Sequence, residues 1–151
     1  MRILVLNGPN LGSLGTRQPD LYGSASLAEI EPALRREAAS NGAELRFEQS
    51  NHEGALIDIM EAENGSSDAI VINPGGLAHT SVVLADAIRA FNGPVVEVHI
   101  TNILAREEYR RVSHVAAAAT AVIVGAGVHG YVLGLRAAID LAGGATTEAN
   151  R

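Results

Sequence analysis

The chain has 151 residues, of which 47% are hydrophobic and 3% aromatic, and its formal net charge is −6. This acidic balance argues against a nucleic-acid partner, and the absence of cysteine excludes disulfides and thiolate chemistry. All 11 cationic side chains are arginine, so imine catalysis through a lysine side chain is excluded as well. The length predicts one domain over residues 1–143, followed by a polar tail over 144–151.

Apolar segments alternate along the chain with segments of helical pattern. Residues 2–7 predict a buried strand, and Ser26 with Glu29 forms a capping box ahead of a helix that extends to about residue 41. Further strands are predicted at 43–49, 69–73, 94–99 and 121–125, and further helices at 53–64, 80–91, 104–111 and 130–142. Five strands alternating with helices indicate an α/β fold, a three-layer sandwich around a five-stranded parallel sheet.

Polar residues gather where the predicted strands end. The ends carry the segments NGPN (7–10), SNHE (50–53), NPGG (73–76), EVH (97–99) and GAG (125–127). In parallel sheets, ligands bind at the carboxyl ends of the strands near the switch point of strand order. The pattern therefore fits a polar pocket at this edge, although loops are polar in any protein.

The connection over residues 8–24 is long and punctuated by glycine and proline. Loops of this length inside compact domains are usually functional or disordered. The loop contains Tyr22, whose phenol could act as a phenolate, and Arg17, whose positive charge could favour that ionised form. The alternative is an exposed loop whose arginine and tyrosine only cover apolar surface.

Glu97 and His99 stand two residues apart on a predicted strand, so both side chains point to one face of the sheet. A carboxylate beside an imidazole favours its protonated form and fixes its tautomer, as a general acid requires. A structural histidine with a satisfied hydrogen bond fits the same pattern. The basic segment at 106–111 fits a clamp for a carboxylate, and its spacing also fits a solvated helical face.

The segment GAGVHG (125–130) matches a dinucleotide-binding fingerprint, but too little chain follows it for the second unit and the acidic residue that such a site needs. We interpret it as a tight turn from strand to helix. The five histidines show no metal-ligand spacing, and we expect neither a metal nor an organic cofactor. No apolar run approaches a membrane-spanning length and no export leader is visible, which predicts a soluble, cytoplasmic protein.

Taken together, the motifs resemble those of the type II 3-dehydroquinate dehydratases. The matching segments are LNGPNL (6–11), LGTRQPDLYG (14–23), QSNHEG (49–54), INPGGLAHTS (72–81), VEVHI (96–100), AREEYRR (105–111) and VGAGVHGYVLGL (124–135). They cover nearly the whole chain in the order of that family. The resemblance implies a flavodoxin-like fold and dehydration of 3-dehydroquinate to 3-dehydroshikimate, a step of the shikimate pathway toward the aromatic amino acids. It also implies no cofactor.

The resemblance further implies roles for individual residues. Tyr22 is expected to be the base that removes a C2 proton to give an enolate, and His99 the acid that protonates the departing C1 hydroxyl. The other expected catalytic residues are Arg17, which keeps Tyr22 ionised, Arg106 as a second cation, Asn10 near the enolate and its water, and Glu97, which orients His99. The expected substrate-binding residues are Asn73, His79, Asp86, Ile100, Thr101 and Arg110. Asp86 is expected to reach the site of a neighbouring subunit, in a dodecamer built from trimers.

The chain departs from the family pattern at a few positions. Gly12 stands where the family usually has asparagine, so one polar contact near the start of the loop is missing; Thr101 replaces a common serine and Tyr109 a usual phenylalanine. A non-catalytic flavodoxin-like module that binds a small polyhydroxylated acid is the alternative. Such a module would need Asn73, His79 and Arg110 but not Tyr22 and Arg17 in one loop.

Overall fold

The structure, a computed structural model, describes residues 1–144. Within these residues, five strands and five α-helices follow one another in the predicted order, except that a short helix is added in the 8–24 loop and the helix predicted over 104–111 is absent. The strands are β1 (Arg2–Asn7), β2 (Glu44–Gln49), β3 (Ala69–Asn73), β4 (Val95–His99) and β5 (Ala121–Val124). The helices are α1 (Pro19–Tyr22), α2 (Leu27–Ser40), α3 (Glu53–Glu63), α4 (Val82–Ala90) and α5 (His129–Ala142).

The strands form one parallel sheet in the order β2-β1-β3-β4-β5. This is the flavodoxin-like order, and it confirms the predicted architecture. The direction of winding reverses between β1 and β3, where the register places Asn7 opposite Asn73. The switch point of the sheet is therefore lined by two asparagines at the ends of neighbouring strands.

The core lies in two layers, one on each face of the sheet. Helices α2 and α5 cover one face, with Leu34 and Leu135 fully buried against the strands. Helices α3 and α4 cover the other, where Leu56 and Leu84 are equally buried. Because both faces are covered, the central strands are apolar on both sides, which explains why their sequences read as continuous runs. Within residues 1–144 no helix is long and apolar enough to cross a membrane.

The local signals for helix ends are confirmed. The Glu29 carboxylate accepts a hydrogen bond from the Ser26 backbone N–H at 2.7 Å, as in a capping box, and a further one from the Ser26 hydroxyl at 2.9 Å. Gly125 and Gly127 both have positive φ, at 80° and 61°, and turn the chain from β5 into α5. The predicted tail at 144–151 lies outside the described residues beyond its first position.

The helix predicted over 104–111 is wrong. The segment instead forms two short 3-10 turns, Ile103–Ala105 and Glu108–Arg110, separated by extended backbone at Arg106 and Glu107. The extended backbone at Arg106 gives up the hydrogen bonds of a continuous helix. The Arg106 side chain instead hydrogen-bonds Tyr22. The 8–24 loop also contains local structure, since it holds a 3-10 turn at Leu11–Ser13 and the single turn of α1.

Candidate active site

A cavity lies at the carboxyl edge of the sheet, where the 8–24 loop meets the ends of β1, β3 and β4. It brings together residues from three separate stretches of the chain, 9–22, 73–79 and 99–110. Those that the sequence analysis selected are Asn10, Arg17, Tyr22, Asn73, His79, His99, Ile100, Thr101, Arg106 and Arg110. Glu97 lies beneath the cavity in contact with His99, whereas Asp86 lies elsewhere.

Tyr22 lies between two guanidinium groups. Arg106 donates a hydrogen bond from Nη1 to the Tyr22 hydroxyl oxygen at 2.8 Å, and its Cζ lies 5.4 Å from the ring centre. Arg17 lies over the same ring, with its Cζ 5.8 Å from the centre. Both contacts favour a negative charge on the phenol oxygen. The direct hydrogen bond to the Tyr22 oxygen therefore comes from Arg106, whereas the resemblance names Arg17 first.

Glu107, which the sequence analysis did not select, holds two of the site arginines. Its Oε2 lies 2.9 Å from Nε of Arg110 and 3.4 Å from Nε of Arg106. Its own backbone N–H, together with the charges of Arg106 and Arg110, holds the pKa of the Glu107 carboxyl below its usual value. The carboxylate therefore stays ionised and aligns both guanidinium groups along the rim of the cavity.

His99 and Glu97 form a buried hydrogen-bonded pair. His99 Nε2 lies 2.6 Å from Glu97 Oε1, and the Glu97 side chain is 0% exposed. Ser113 donates a second hydrogen bond to Glu97 Oε1 at 2.8 Å. A buried carboxylate that accepts from Nε2–H leaves Nδ1 as the nitrogen available to a substrate. The pair thus has the arrangement of a general acid and its orienting group.

His79 is held in one tautomer by the backbone. Its Nδ1 lies 2.8 Å from the Val112 carbonyl oxygen, which can only accept, so Nδ1 carries a proton. Its ring stacks on that of His99, with the centres 6.1 Å apart. A neutral His79 therefore offers Nε2 as a hydrogen-bond acceptor to a hydroxyl in the cavity.

A buried polar chain below the cavity was also missed from the sequence. The Tyr131 hydroxyl donates to Asn7 Oδ1 at 2.7 Å and accepts from Asn73 Nδ2 at 2.9 Å, while Asn73 Oδ1 accepts from the Gly75 N–H at 3.2 Å. Burial raises the pKa of Tyr131, so its hydroxyl stays neutral. The strand-end positions of Asn7 and Asn73 were the available signal, whereas nothing in the sequence marked the buried tyrosine of α5.

Asp86 is the one selected substrate-binding residue that the fold does not bring to this cavity. It lies on α4, its side chain is 66% exposed, and it pairs with Arg89 at 3.1 Å. The nearby Val82 and Val83, on the first turn of α4, are exposed as well. Within residues 1–144 no group of three histidine, aspartate or glutamate side chains forms a candidate metal site.

Comparisons with known proteins agree in one family. Residues 1–139 match the family described as dehydroquinase class II. A 3-dehydroquinate dehydratase of Maricaulis maris is 51% identical over 93% of this chain and 97% of its own length. Catabolic 3-dehydroquinase 2 of Aspergillus flavus is 50% identical over 91% of this chain and 92% of its own. The crystal structure of a type II dehydroquinase from Butyrivibrio crossotus superposes with a TM-score of 0.89 at 37% identity, over 91% of this chain and 96% of that one.

Proposed function

Because the chain belongs to the class II dehydroquinase family and is a hydro-lyase that converts 3-dehydroquinate to 3-dehydroshikimate, we propose that Tyr22 is the base and His99 the acid of this reaction. The Tyr22 phenolate takes a proton from C2, and the electron pair moves into an enolate. The enolate then re-forms the ketone and expels the C1 hydroxyl, to which His99 gives its proton, so the group leaves as water.

The hydrogen bond from Arg106 to Tyr22 is the observation that carries this assignment. An ordinary tyrosine is ionised to only about one part in a thousand at neutral pH, so a phenolate base needs fixed positive charge beside it. The Arg106 side chain is only 14% exposed, which limits screening by water, and Arg17 adds a second positive charge over the ring. Arginine suits this role because it stays charged when it is partly desolvated.

The acid lies in the same cavity as the base. Glu97 favours the imidazolium form of His99, which can then give up a proton as the hydroxyl leaves. Base and acid are thus set by neighbours of opposite charge, arginine for Tyr22 and a carboxylate for His99. A binding module has no need of either pairing, so this division of charges favours catalysis over simple recognition.

The remaining lining residues are proposed to hold the substrate. Arg110 offers a guanidinium to the substrate carboxylate, and His79 offers Nε2 to a hydroxyl. Asn73, Ile100 and Thr101 line the same cavity and provide amide or backbone groups for the other hydroxyls, and Asn10 lies where it can contact the enolate oxygen or its water.

We propose that Asp86 acts in the site of a neighbouring copy. Its exposure, its distance from the cavity of its own chain and the exposed Val82 and Val83 on the same helix support a role across an interface. The dodecamer built from trimers, like the cytoplasmic location, stays a prediction. Light scattering should give a closed oligomer, and a fully active monomer would contradict the shared site.

Tyr22→Phe tests the proposed base. Mixed with 3-dehydroquinate, the variant should show no growth of the ultraviolet band of the conjugated enone and no exchange of the C2 proton with deuterated solvent. Tyr109→Phe is the matched control, because Tyr109 is 64% exposed and lies outside the cavity lining. It should retain the parental rate. Substantial turnover by Tyr22→Phe would remove Tyr22 from the role of base.

A further inference from the structure

Asn10, at the start of the 8–24 loop, has an uncommon backbone conformation. Its φ is 69° and its ψ is −6°, in the left-handed region that residues other than glycine seldom occupy. Asparagine tolerates this region better than most residues, because its short polar side chain can hydrogen-bond locally. Non-glycine residues in this conformation persist where their surroundings hold them, often at functional sites.

The constraint comes from the end of β2. The Asn10 backbone N–H donates to Asn51 Oδ1 at 3.0 Å. The same oxygen accepts from Gln49 Nε2 at 3.1 Å, and this amide group also lies 3.3 Å from the Gly8 carbonyl oxygen. Two exposed or half-buried amide side chains therefore hold the backbone on both sides of Pro9, from outside the cavity.

Gly12 leaves room for this arrangement. A Cβ added at position 12 would lie 3.1 Å from Gln49 Oε1, so the Gln49 amide would have to move. Position 12, where the chain departs from the family pattern, therefore lies within contact range of the glutamine that hydrogen-bonds Asn51.

We propose that Asn51 and Gln49 are positioning residues that set the conformation of Asn10 and thereby direct its side chain into the cavity. The inference rests on the proposed role of Asn10 at the enolate. Neither residue lines the cavity, so their effect passes through Asn10. Their loss should slow enolate formation, and it should leave the affinity for substrate nearly unchanged.

Replacing Asn51 with alanine or aspartate tests the proposal. Asn51→Ala removes the acceptor and should lower kcat and the rate of C2 proton exchange together by roughly tenfold, the scale for one lost hydrogen bond that positions a reacting group. KM should change by less than about twofold. Asn51→Asp keeps an acceptor oxygen and should recover most of the rate. Asn41→Ala, at an exposed asparagine near the other end of β2, is the matched control.

A double-variant cycle with Asn10→Gly separates this inference from the proposed function. Glycine keeps the left-handed conformation without the side chain, so Asn51→Ala in that background should add less than about twofold. The inference would be overturned if Asn51→Ala had the parental kcat. It would also be overturned if the fold-losses in kcat of the two single variants multiplied in the double variant. The proposed function would stand in both cases. A parental exchange rate in Asn10→Gly would instead remove the proposed role of Asn10, and the inference with it.

Discussion

Two glutamates are buried at opposite edges of the sheet, one where the strands begin and one toward where they end. They differ in the basic side chains that contact them. Glu63, at the end of α3 on the amino edge, is 3% exposed; Glu97, near the carboxyl end of β4, is 0% exposed. Each accepts a hydrogen bond from one serine. They differ in their cations, because Glu63 has two arginines and Glu97 has a histidine.

The Glu63 carboxylate has partners for both of its oxygens. Oε1 pairs with Arg46 and with Arg2, the latter at 3.3 Å, and Oε2 accepts from the Ser67 hydroxyl at 2.5 Å. Burial opposes its ionisation, but the hydrogen bonds from Ser67 and Arg46 and the charges of both arginines hold the pKa of Glu63 below its usual value. The group is fixed in one charge state, as a structural ion pair should be.

The Glu97 carboxylate is less completely partnered. Oε1 accepts from His99 and Ser113, while Oε2 is buried and has no hydrogen-bond partner among the residues described. Its basic partner is an imidazole, a side chain that can exchange protons, whereas an arginine stays charged. In the proposed mechanism, a buried glutamate therefore stabilises the fold at one edge, and a second one serves proton transfer at the other.

The largest effect that we expect is on turnover in Glu97→Gln. The amide keeps an oxygen toward His99 but removes the charge that favours the imidazolium, so kcat should fall by about a thousandfold, within the range for loss of a general acid. Stability to urea should change by no more than about 1 kcal/mol, because a buried charge is removed together with its need for a partner. If Glu97→Gln lost much stability and little turnover, Glu97 would be a structural residue like Glu63, and the distinction between the two glutamates would be wrong.

Glu63→Gln should do the opposite. It leaves Arg46 partly buried beside a neutral group, and loss of one partner of such a pair should lower the free energy of unfolding by about 3 kcal/mol. Urea titration followed by circular dichroism measures this loss. The kcat of the folded enzyme should stay at the parental value, since Glu63 is at the opposite edge from the cavity. A drop in kcat would show that the amino edge also acts on the site.

The acid dependence of stability should identify Glu63 as well. Its folded-state pKa lies below that of the unfolded chain, so its contribution is complete above the ordinary value of about 4.3 and is lost as the pH falls through the lower folded value. Stability therefore rises with pH across this window, and Glu63→Gln should flatten the rise. Urea midpoints measured at several pH values between about 3 and 6 give the slopes. Equal slopes in the two proteins would assign the acid sensitivity to other carboxyls.

The smallest effects should come from the two serines, which form a matched pair. Ser67→Ala removes one hydrogen bond to Glu63 and should cost about 1 kcal/mol of stability with no change in kcat. Ser113→Ala removes one from Glu97 and should lower kcat several-fold, because the carboxylate that orients His99 loses a donor. Thermal melts and steady-state rates measure both. Similar losses of activity in the two variants would contradict the prediction that Ser113 affects catalysis and Ser67 does not.

The fold could be predicted from local signals that tertiary packing did not override. The capping box at Ser26 and Glu29 and the continuous apolar strands marked their elements within a few residues. The helix prediction for 104–111 failed because Arg106 hydrogen-bonds Tyr22 and Glu107 pairs with the neighbouring arginines. The spacing of apolar residues carries no information about such contacts. The functional interaction broke the helix there, so a pattern of helical spacing was misleading at that point.

The site was predicted only in part. The pairing of Glu97 with His99 could be predicted because side chains two positions apart on a strand point to the same face of the sheet. The contact between Tyr22 and Arg106 joins residues 84 positions apart in the chain, and local spacing could not establish it. Tyr131, Glu107 and Ser113 were missed because each acts on another side chain, and such roles become visible only when the elements have been packed together.

The burial of Tyr131 has an optical consequence. The chain has three tyrosines and no tryptophan, so its near-ultraviolet absorption comes almost entirely from these phenols. Since burial keeps the Tyr131 phenol protonated, only Tyr22 and the exposed Tyr109 can contribute phenolate absorption while the fold is intact. In a Tyr109→Phe protein the phenolate difference spectrum therefore follows a single chromophore, and the charge on Tyr22 can be read directly, without substrate, across the pH range in which the fold persists.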